Sequence, residues 1–228
     1  MNKYLKIAHR GYSVLKKYEN TIFSFQKAIK KNFDMIELDV HLCKSNDIII
    51  YHDDYIEHNN KLKYIKDLTY EEINEFNPYI ITLPFLFKNI DKNDIKIYID
   101  IKGNNDIIEP LIKFLDKRFD NFDNLLLASF NRNCLKKIID YNKSIEKENK
   151  KYLKKGFITE NIFTNVELLI LLKDIECIII HWTMLNKDLI DYCKKNNKDV
   201  YCYTLKDLNQ LEHISKFDID GIVSDIIL

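Results

Sequence analysis

The sequence predicts an α/β fold: a single-domain (β/α)8 TIM barrel with a β-hairpin-containing loop after its second strand. Three observations predict it. Short apolar strands alternate with helical stretches along nearly all of the 228 residues, with no low-complexity linker or composition break. The chemically reactive residues gather where strands end, and that is where such barrels carry their sites. One connection, Asp39 to Ile48, is too short for the crossover of about a dozen residues that a parallel strand requires.

The elements follow in order. Leu5–Ala8 reads as a strand closed by His9-Arg10-Gly11. After a loop, Asn20 or Thr21 caps a helix over 22–32, with Ile22, Phe25 or Gln26, and Ile29 at helical spacing. Residues 35–40 form the second strand. Residues 48–51 turn back on it as a hairpin with Ser45-Asn46-Asp47 near the tip. The Thr69-Tyr70-Glu71-Glu72 box opens a helix to Phe76. Strand and helix then alternate: strand 95–101, helix 106–118, strand 125–129, helix 133–141, strand 156–159, helix 165–172. The alternation closes with strand 177–180, helix 187–196, strand 200–204, helix 207–216 and strand 221–224. Setting the hairpin strand aside leaves eight strands, and the barrel domain is expected to span residues 1–228.

Composition limits the function. Lys+Arg and Asp+Glu number 35 each, so the net charge is zero and nothing favours nucleic acid as a partner. Frequent Lys, Asn and Ile are a compositional drift rather than a patch signal. Cys43, Cys134, Cys177, Cys193 and Cys202 show no C-x-x-C spacing, which points to reduced thiols in a cytoplasmic setting. The last four are expected to be small buried fillers. No apolar run approaches the ~18 residues of a spanning helix. Eight residues before His9 leave no room for a cleavable leader, which again argues for the cytoplasm. Oligomeric state is not legible.

The chemistry centres on 35–53, MIELDVHLCKSNDIIIYHD. Residues two apart on a strand share a face, so Glu37 and Asp39 point the same way. Paired carboxylates raise each other's pKa unless a cation sits between them. Tyr98, Asp100 and Lys102 likewise share a face, opposite Ile97, Ile99 and Ile101. Glu37, Asp39 and Asp100 therefore offer three carboxylates to one divalent cation. Oxygen-only ligands suit Mg²⁺, with Ca²⁺ or Mn²⁺ as alternatives, and not zinc. His9 and His52 are then free to move protons. With Arg10 and Lys102 they make a constellation suited to a phosphate diester.

At these residues the sequence resembles the glycerophosphodiester phosphodiesterase family. The resemblance rests on AHRG at 8–11, YENT at 18–21, IELDV at 36–40, YHD at 51–53 and YIDIK at 98–102. ASF at 128–130, YTLK at 203–206 and DGIVSD at 220–225 follow in order. It implies that His9 and His52 are the acid–base pair. Arg10 and Lys102 would bind phosphate, and Tyr203 would wall the substrate pocket. Glu37, Asp39 and Asp100 would hold the metal. The implied reaction is metal-dependent hydrolysis of a small-molecule glycerophosphodiester to glycerol 3-phosphate and an alcohol, through a cyclic phosphate.

Four positions depart from the family: Tyr18 for Pro, Asp100 for Glu, Tyr203 for Trp, and His58 where Arg is common. Asp at 100 is shared with sphingomyelinase D enzymes, distant barrel relatives. The alternatives are thus a lysophospholipase D or sphingomyelinase D-like phosphodiesterase, or a non-catalytic barrel that binds glycerophosphodiesters. The run 80–87, IITLPFLF, is expected to pack under the loop after strand two; the lysophospholipase reading would make it a lip for an acyl chain. His41 is expected in a loop and His213 exposed on a helix. His181-Trp182 either lines the pocket or does not.

Overall fold

The computed structural model of the protein describes residues 4–90, 95–145 and 151–228. Strand β1 (Leu5–Ala8) leads to helix α1 (Ile22–Lys30), then β2 (Met35–Leu42) and β3 (Ile48–Ile50). A small hairpin follows, β4 (Tyr55–His58) and β5 (Lys61–Tyr64), then α2 (Tyr70–Phe76), β6 (Ile81–Thr82) and α3 (Leu83–Asn89). From there strand and helix alternate strictly: β7 (Lys96–Ile101), α4 (Ile108–Arg118), β8 (Leu125–Ser129), α5 (Arg132–Ser144), β9 (Lys154–Thr159) and α6 (Asn165–Leu171). The chain ends with β10 (Cys177–His181), α7 (Lys187–Lys195), β11 (Asp199–Leu205), α8 (Leu208–Ile214) and β12 (Gly221–Ser224).

Strands β1, β2 and β7 to β12 pair in parallel in chain order, and β12 returns to β1, so the sheet closes into the expected eight-stranded barrel. The period of two along each strand builds two separate cores. Ile7, Met35, Tyr98, Leu126, Ile158, Ile179 and Val223 fill the barrel interior. The intervening residues, such as Ile36, Leu38, Ile97 and Ile99, pack outward against the helices.

The expected hairpin is present. β2 pairs antiparallel with β3, Val40 opposite Ile50 and Leu42 opposite Ile48. β2 is longer than expected because its end leaves the barrel rim to make this pairing. His41 therefore lies in β2 rather than in a loop, and it is buried. The β4–β5 ribbon, β6 and α3 were not foreseen. Their signals are weak: the ribbon turns on Asn59 and Asn60, both at positive φ, between short strands of mixed polarity.

Residues 80–87 pack as expected. Leu83, Leu86 and Phe87 on α3 are fully buried, while Pro84 and Phe85 are exposed. Phe87 meets the Phe119 ring edge-on at 5.2 Å. Pro84 sits in the first turn of α3, where its missing N–H costs nothing, and Thr82 caps the helix. The side chains that would have formed an acyl lip are committed to the core instead. Phe87→Ala is expected to cost about 3–5 kcal/mol of unfolding free energy, the usual range for an emptied aromatic site. Urea denaturation measures it; a loss below about 1 kcal/mol would contradict this packing role.

Candidate active site

The barrel's period of two aims Glu37, Asp39 and Asp100 inward at the C-terminal rim. β2 and β7 run in register, which sets Asp39 directly beside Asp100. All three are nearly fully buried, and one carboxylate oxygen from each lies within 4.8 Å of the others. Lys102, one step beyond Asp100 on the same face, places Nζ 2.6 Å from Asp100 Oδ2 and 3.0 Å from Asp39 Oδ1.

The loop after β1 is folded onto this cluster. The Arg10 backbone N–H donates to Glu37 Oε2 at 2.7 Å. The Arg10 guanidinium donates from Nη1 to Glu19 Oε2 at 2.9 Å, and its Nε lies 3.3 Å from Asp39 Oδ2. Asn20 Nδ2 donates to Asp39 Oδ2 at 2.7 Å, and Thr21 caps α1 in a reciprocal box with Ser24. The Glu19-Asn20-Thr21 run thus has three jobs: an anchor for arginine, a donor to a buried acid, and a helix cap.

Each candidate catalytic histidine is held by its own carboxylate. His9 Nδ1 lies 2.6 Å from Asp225 Oδ1, and His52 Nδ1 lies 2.6 Å from Asp53 Oδ1. A carboxylate accepts only, so Nδ1 carries the hydrogen and Nε2 is left as the reactive nitrogen of the neutral ring. His41 Nε2 meets the His52 main-chain oxygen at 3.2 Å, pinning the segment that carries His52. From sequence Asp53, Asp225, Glu19 and His41 carry no assigned role, and Asn20 only that of a candidate helix cap. All but His41 lie inside the motif runs, which was the available signal.

These groups line one cavity of about 670 Å³. His9, Arg10, Glu37, Asp39, His52, Asp100, Lys102 and Tyr203 all reach it, so every sequence-predicted site residue is brought together. His181 and Trp182 line it too. Part of the wall is aromatic: Tyr203 stands nearly perpendicular to Phe130 and to His181, at 6.2 and 5.7 Å between ring centres. Two other histidines stay outside. His58 stacks on Phe76, and His213, half-buried rather than exposed, packs between Trp182 and Phe217.

Burial and repulsion set the charges. Glu37 is pushed well above the usual carboxylate range by burial, then by Asp39 and Asp100, against the pull of Arg10. Asp100 rises to about 6, mainly through burial, although Lys102 opposes it. Burial works against Asp39 as well, but Lys102, Arg10 and His52 outweigh it and hold this acid ionised. Burial also disfavours the Lys102 charge; Asp100 and Asp39 overcome it and keep the ammonium protonated. His52 is lowered by burial, against Asp39 and Asp53, which favours its neutral form.

A hard divalent cation fits these residues. The donors are all carboxylate oxygens, and Asp100 Oδ1 is buried with no hydrogen-bond partner. The raised acids are those that an added positive charge would relieve. The whole arrangement can bind an anionic phosphate ester and pass protons from two separately anchored imidazoles, as a phosphodiester hydrolase requires.

The comparisons with known proteins agree. Residues 9–228 match the Glycerophosphoryl diester phosphodiesterase family, and the chain belongs to it. A glycerophosphodiester phosphodiesterase of Caldanaerobacter subterraneus is 30% identical over 98% of this chain and 94% of its own. Among solved structures, a glycerophosphodiester phosphodiesterase from Parabacteroides distasonis has a TM-score of 0.83 at 21% identity, covering 99% of this chain and 94% of the other. An Oleispira antarctica phosphodiesterase in complex with the product sn-glycerol-3-phosphate has a TM-score of 0.79 at 22% identity, covering 98% and 93%. The chain is thus a glycerophosphodiester phosphodiesterase-type hydrolase on a TIM barrel. Among the described residues, no helix is long and apolar enough to cross a membrane, and all five cysteines are free and buried.

The raised acids predict a pH-dependent stability. An acid whose pKa is higher folded than unfolded stabilises below its unfolded value, and that stability is lost as pH rises through the folded one. For Asp100 the window runs from the ordinary 3.8 up to about 6. Metal-free protein is expected to lose stability across that window, and Mg²⁺ to raise the melting temperature more near ~pH 8 than near ~pH 5. Differential scanning calorimetry checks this, and equal shifts at the two pH values would contradict it.

Proposed function

We propose that this protein hydrolyses a glycerophosphodiester to glycerol 3-phosphate and an alcohol, in the cytoplasm, by acid–base catalysis between His9 and His52 with a divalent cation. The observation that carries this reading is the pairing of a buried acid trio with two histidines, each anchored at Nδ1 by its own carboxylate. The Oleispira phosphodiesterase, on the same fold, has glycerol 3-phosphate as its product, which supports that product here.

Glu37, Asp39 and Asp100 would hold the cation, Mg²⁺ by preference with Ca²⁺ or Mn²⁺ as alternatives, and when bound it draws charge from the phosphate oxygens. Three carboxylates fall short of the six to eight oxygens that Ca²⁺ takes, which favours Mg²⁺ completed by water and phosphate. Arg10 donates one N–H, from Nη1, to Glu19 and holds Nε in ion-pair range of Asp39 without a hydrogen bond, which leaves its remaining donors for phosphate. Lys102 adds a second positive charge, and Tyr203 closes the aromatic side of the cavity.

His52, whose burial favours the neutral ring, takes the proton of the glycerol 2-hydroxyl as its oxygen attacks phosphorus. The bond from phosphorus to the leaving oxygen breaks, and His9, which enters this step carrying a second proton on Nε2, gives it to that oxygen. A cyclic phosphate results. With the roles reversed, His9 takes a proton from water, the water oxygen attacks phosphorus, the bond from phosphorus to the 2-oxygen breaks, and His52 returns a proton to that oxygen. Asp53 and Asp225 hold the two rings in the tautomer this exchange needs and stabilise each imidazolium as it forms.

His9→Ala and His52→Ala are each expected to leave the fold intact and lower turnover by roughly two to four orders of magnitude. The assay would screen glycerophosphocholine, glycerophosphoethanolamine, glycerophosphoinositol and lysophosphatidylcholine with Mg²⁺ and with Ca²⁺. Near-full turnover in either variant would remove that histidine from the chemistry. Chelation is expected to abolish hydrolysis, and an added hard cation to restore it. Asp100→Asn removes one charge at constant size and is expected to demand more metal for half-maximal activity. Metal dependence unchanged from wild type would show that Asp100 is not a ligand.

A further inference from the structure

Lys102 occupies the gap between two of the three carboxylates that the metal reading requires. Its Nζ donates to Asp100 Oδ2 at 2.6 Å and pairs with Asp39 Oδ1 at 3.0 Å. Asp39 Oδ2 is also spoken for, by Asn20 Nδ2 at 2.7 Å and by Arg10 Nε at 3.3 Å. Only Asp100 Oδ1 among these oxygens is buried without a partner. The ligand atoms of Glu37, Asp39 and Asp100 all lie within 4.8 Å of one another, so a cation reaching all three would sit against the ammonium. Like charges at that range in a buried setting repel strongly, and an oxygen accepting from Nζ has a lone pair already used.

We propose that Lys102 is an exchangeable internal counter-ion. It neutralises Asp39 and Asp100 until a divalent cation arrives, is displaced by that cation, and only then becomes free to meet a substrate phosphate. The proposal rests on Glu37, Asp39 and Asp100 being the metal ligands.

The surroundings give the side chain somewhere to go. Lys102 lines the active-site cavity and also a second one of about 310 Å³, shared with His41, Asp54 and Gly103. The Phe130 ring lies 5.8 Å from Nζ on the cavity side, where its face attracts an ammonium. A four-carbon stem reaches either place by rotamer change alone. Two consequences follow. Metal affinity is lower than three free carboxylates would give, because each binding event breaks an ion pair. Metal and phosphate also promote one another's binding, since the same lysine is released by the first and used by the second.

The test needs no turnover. Calorimetry would titrate Mg²⁺ and Ca²⁺ into wild type and Lys102→Met, which keeps the length and removes the charge. Affinity is expected to rise roughly tenfold or more in Lys102→Met, a change of about 1.4 kcal/mol. Lys206→Met, at another cavity lysine that forms none of the ion pairs to the three acids described above, controls for plain charge and is expected to change affinity by less than about twofold. In parallel, ¹⁵Nζ spectra of lysine-labelled wild type would follow the Lys102 ammonium, assigned by its loss in Lys102→Met. Its signal is expected to move on saturation with metal, and again on adding glycerol 3-phosphate only when metal is present. Equal or weaker metal binding by Lys102→Met would overturn the exchange, as would an Nζ signal unmoved at saturating metal. Absence of any divalent binding by wild type would overturn both the exchange and the metal assignment. Binding with an unmoved signal would remove the exchange alone.

Discussion

Three acids are buried within contact range of one another at the barrel mouth, and most of the surrounding structure answers to that constraint. A buried carboxylate costs several kcal/mol unless it is paired or hydrogen-bonded, and adjacent like charges add to the cost. The chain meets the problem from three elements. β7 brings Lys102 alongside Asp100, two residues away on the same face. The loop after β1 brings the Arg10 main chain to Glu37 and the Asn20 amide to Asp39. Even so, Glu37 and Asp100 stay above the ordinary carboxylate range, so neutralisation by the protein alone is incomplete. That residual imbalance is what the divalent cation proposed above would relieve.

The histidines show the opposite treatment. Neither touches the acid cluster through its ring in the contacts described above. Each has a private carboxylate from another part of the site: Asp53 from its own loop for His52, and Asp225 just after β12 for His9. Because β1 and β12 are barrel neighbours, joined at Leu5↔Gly221, the His9–Asp225 pair ties the first strand to the last. Closure of the barrel and orientation of that histidine are thus one structural event.

Much of this was legible in the sequence because strand periodicity carries directional information. The alternation in 35–40 and 97–102 shows, before any coordinates, that Glu37, Asp39, Asp100 and Lys102 face inward and that the isoleucines face the helices. The short step from Asp39 to Ile48 identifies the hairpin by length alone. What was not legible depends on contacts between distant segments. His41 looked like a loop residue because nothing local shows β2 running past the rim; its burial comes from pairing with β3 and from the His52 main chain. Asp53 and Asp225 were visible as letters in motifs, but their function lies in the approach of a particular Nδ1, which spacing does not encode. The β4–β5 ribbon is stabilised by a small satellite core of Ile56, Ile65, Leu68 and Ile73, too short-ranged in pattern to read as strands.

The first loop shows why its motif residues are so restricted. Gly11 has φ +74°, and a Cβ there would come within 2.6 Å of the Ser24 main-chain carbon. Only glycine lets the chain pass this closely to α1. Arg10 also holds positive φ, at 52°, in a region that non-glycine residues enter at some cost. That conformation turns its N–H toward Glu37 and lets its carbonyl accept from Ser24 Oγ at 3.0 Å and from the Asn20 N–H at 2.9 Å. Asn20 sits at φ 57° as well, a conformation asparagine tolerates better than most residues, and its side chain is the amide that reaches Asp39. The same bends that strain the backbone therefore deliver the donors that make the buried acids tolerable. Backbone geometry and site electrostatics are satisfied by one set of residues, so no member can be exchanged for the sake of one without loosening the other.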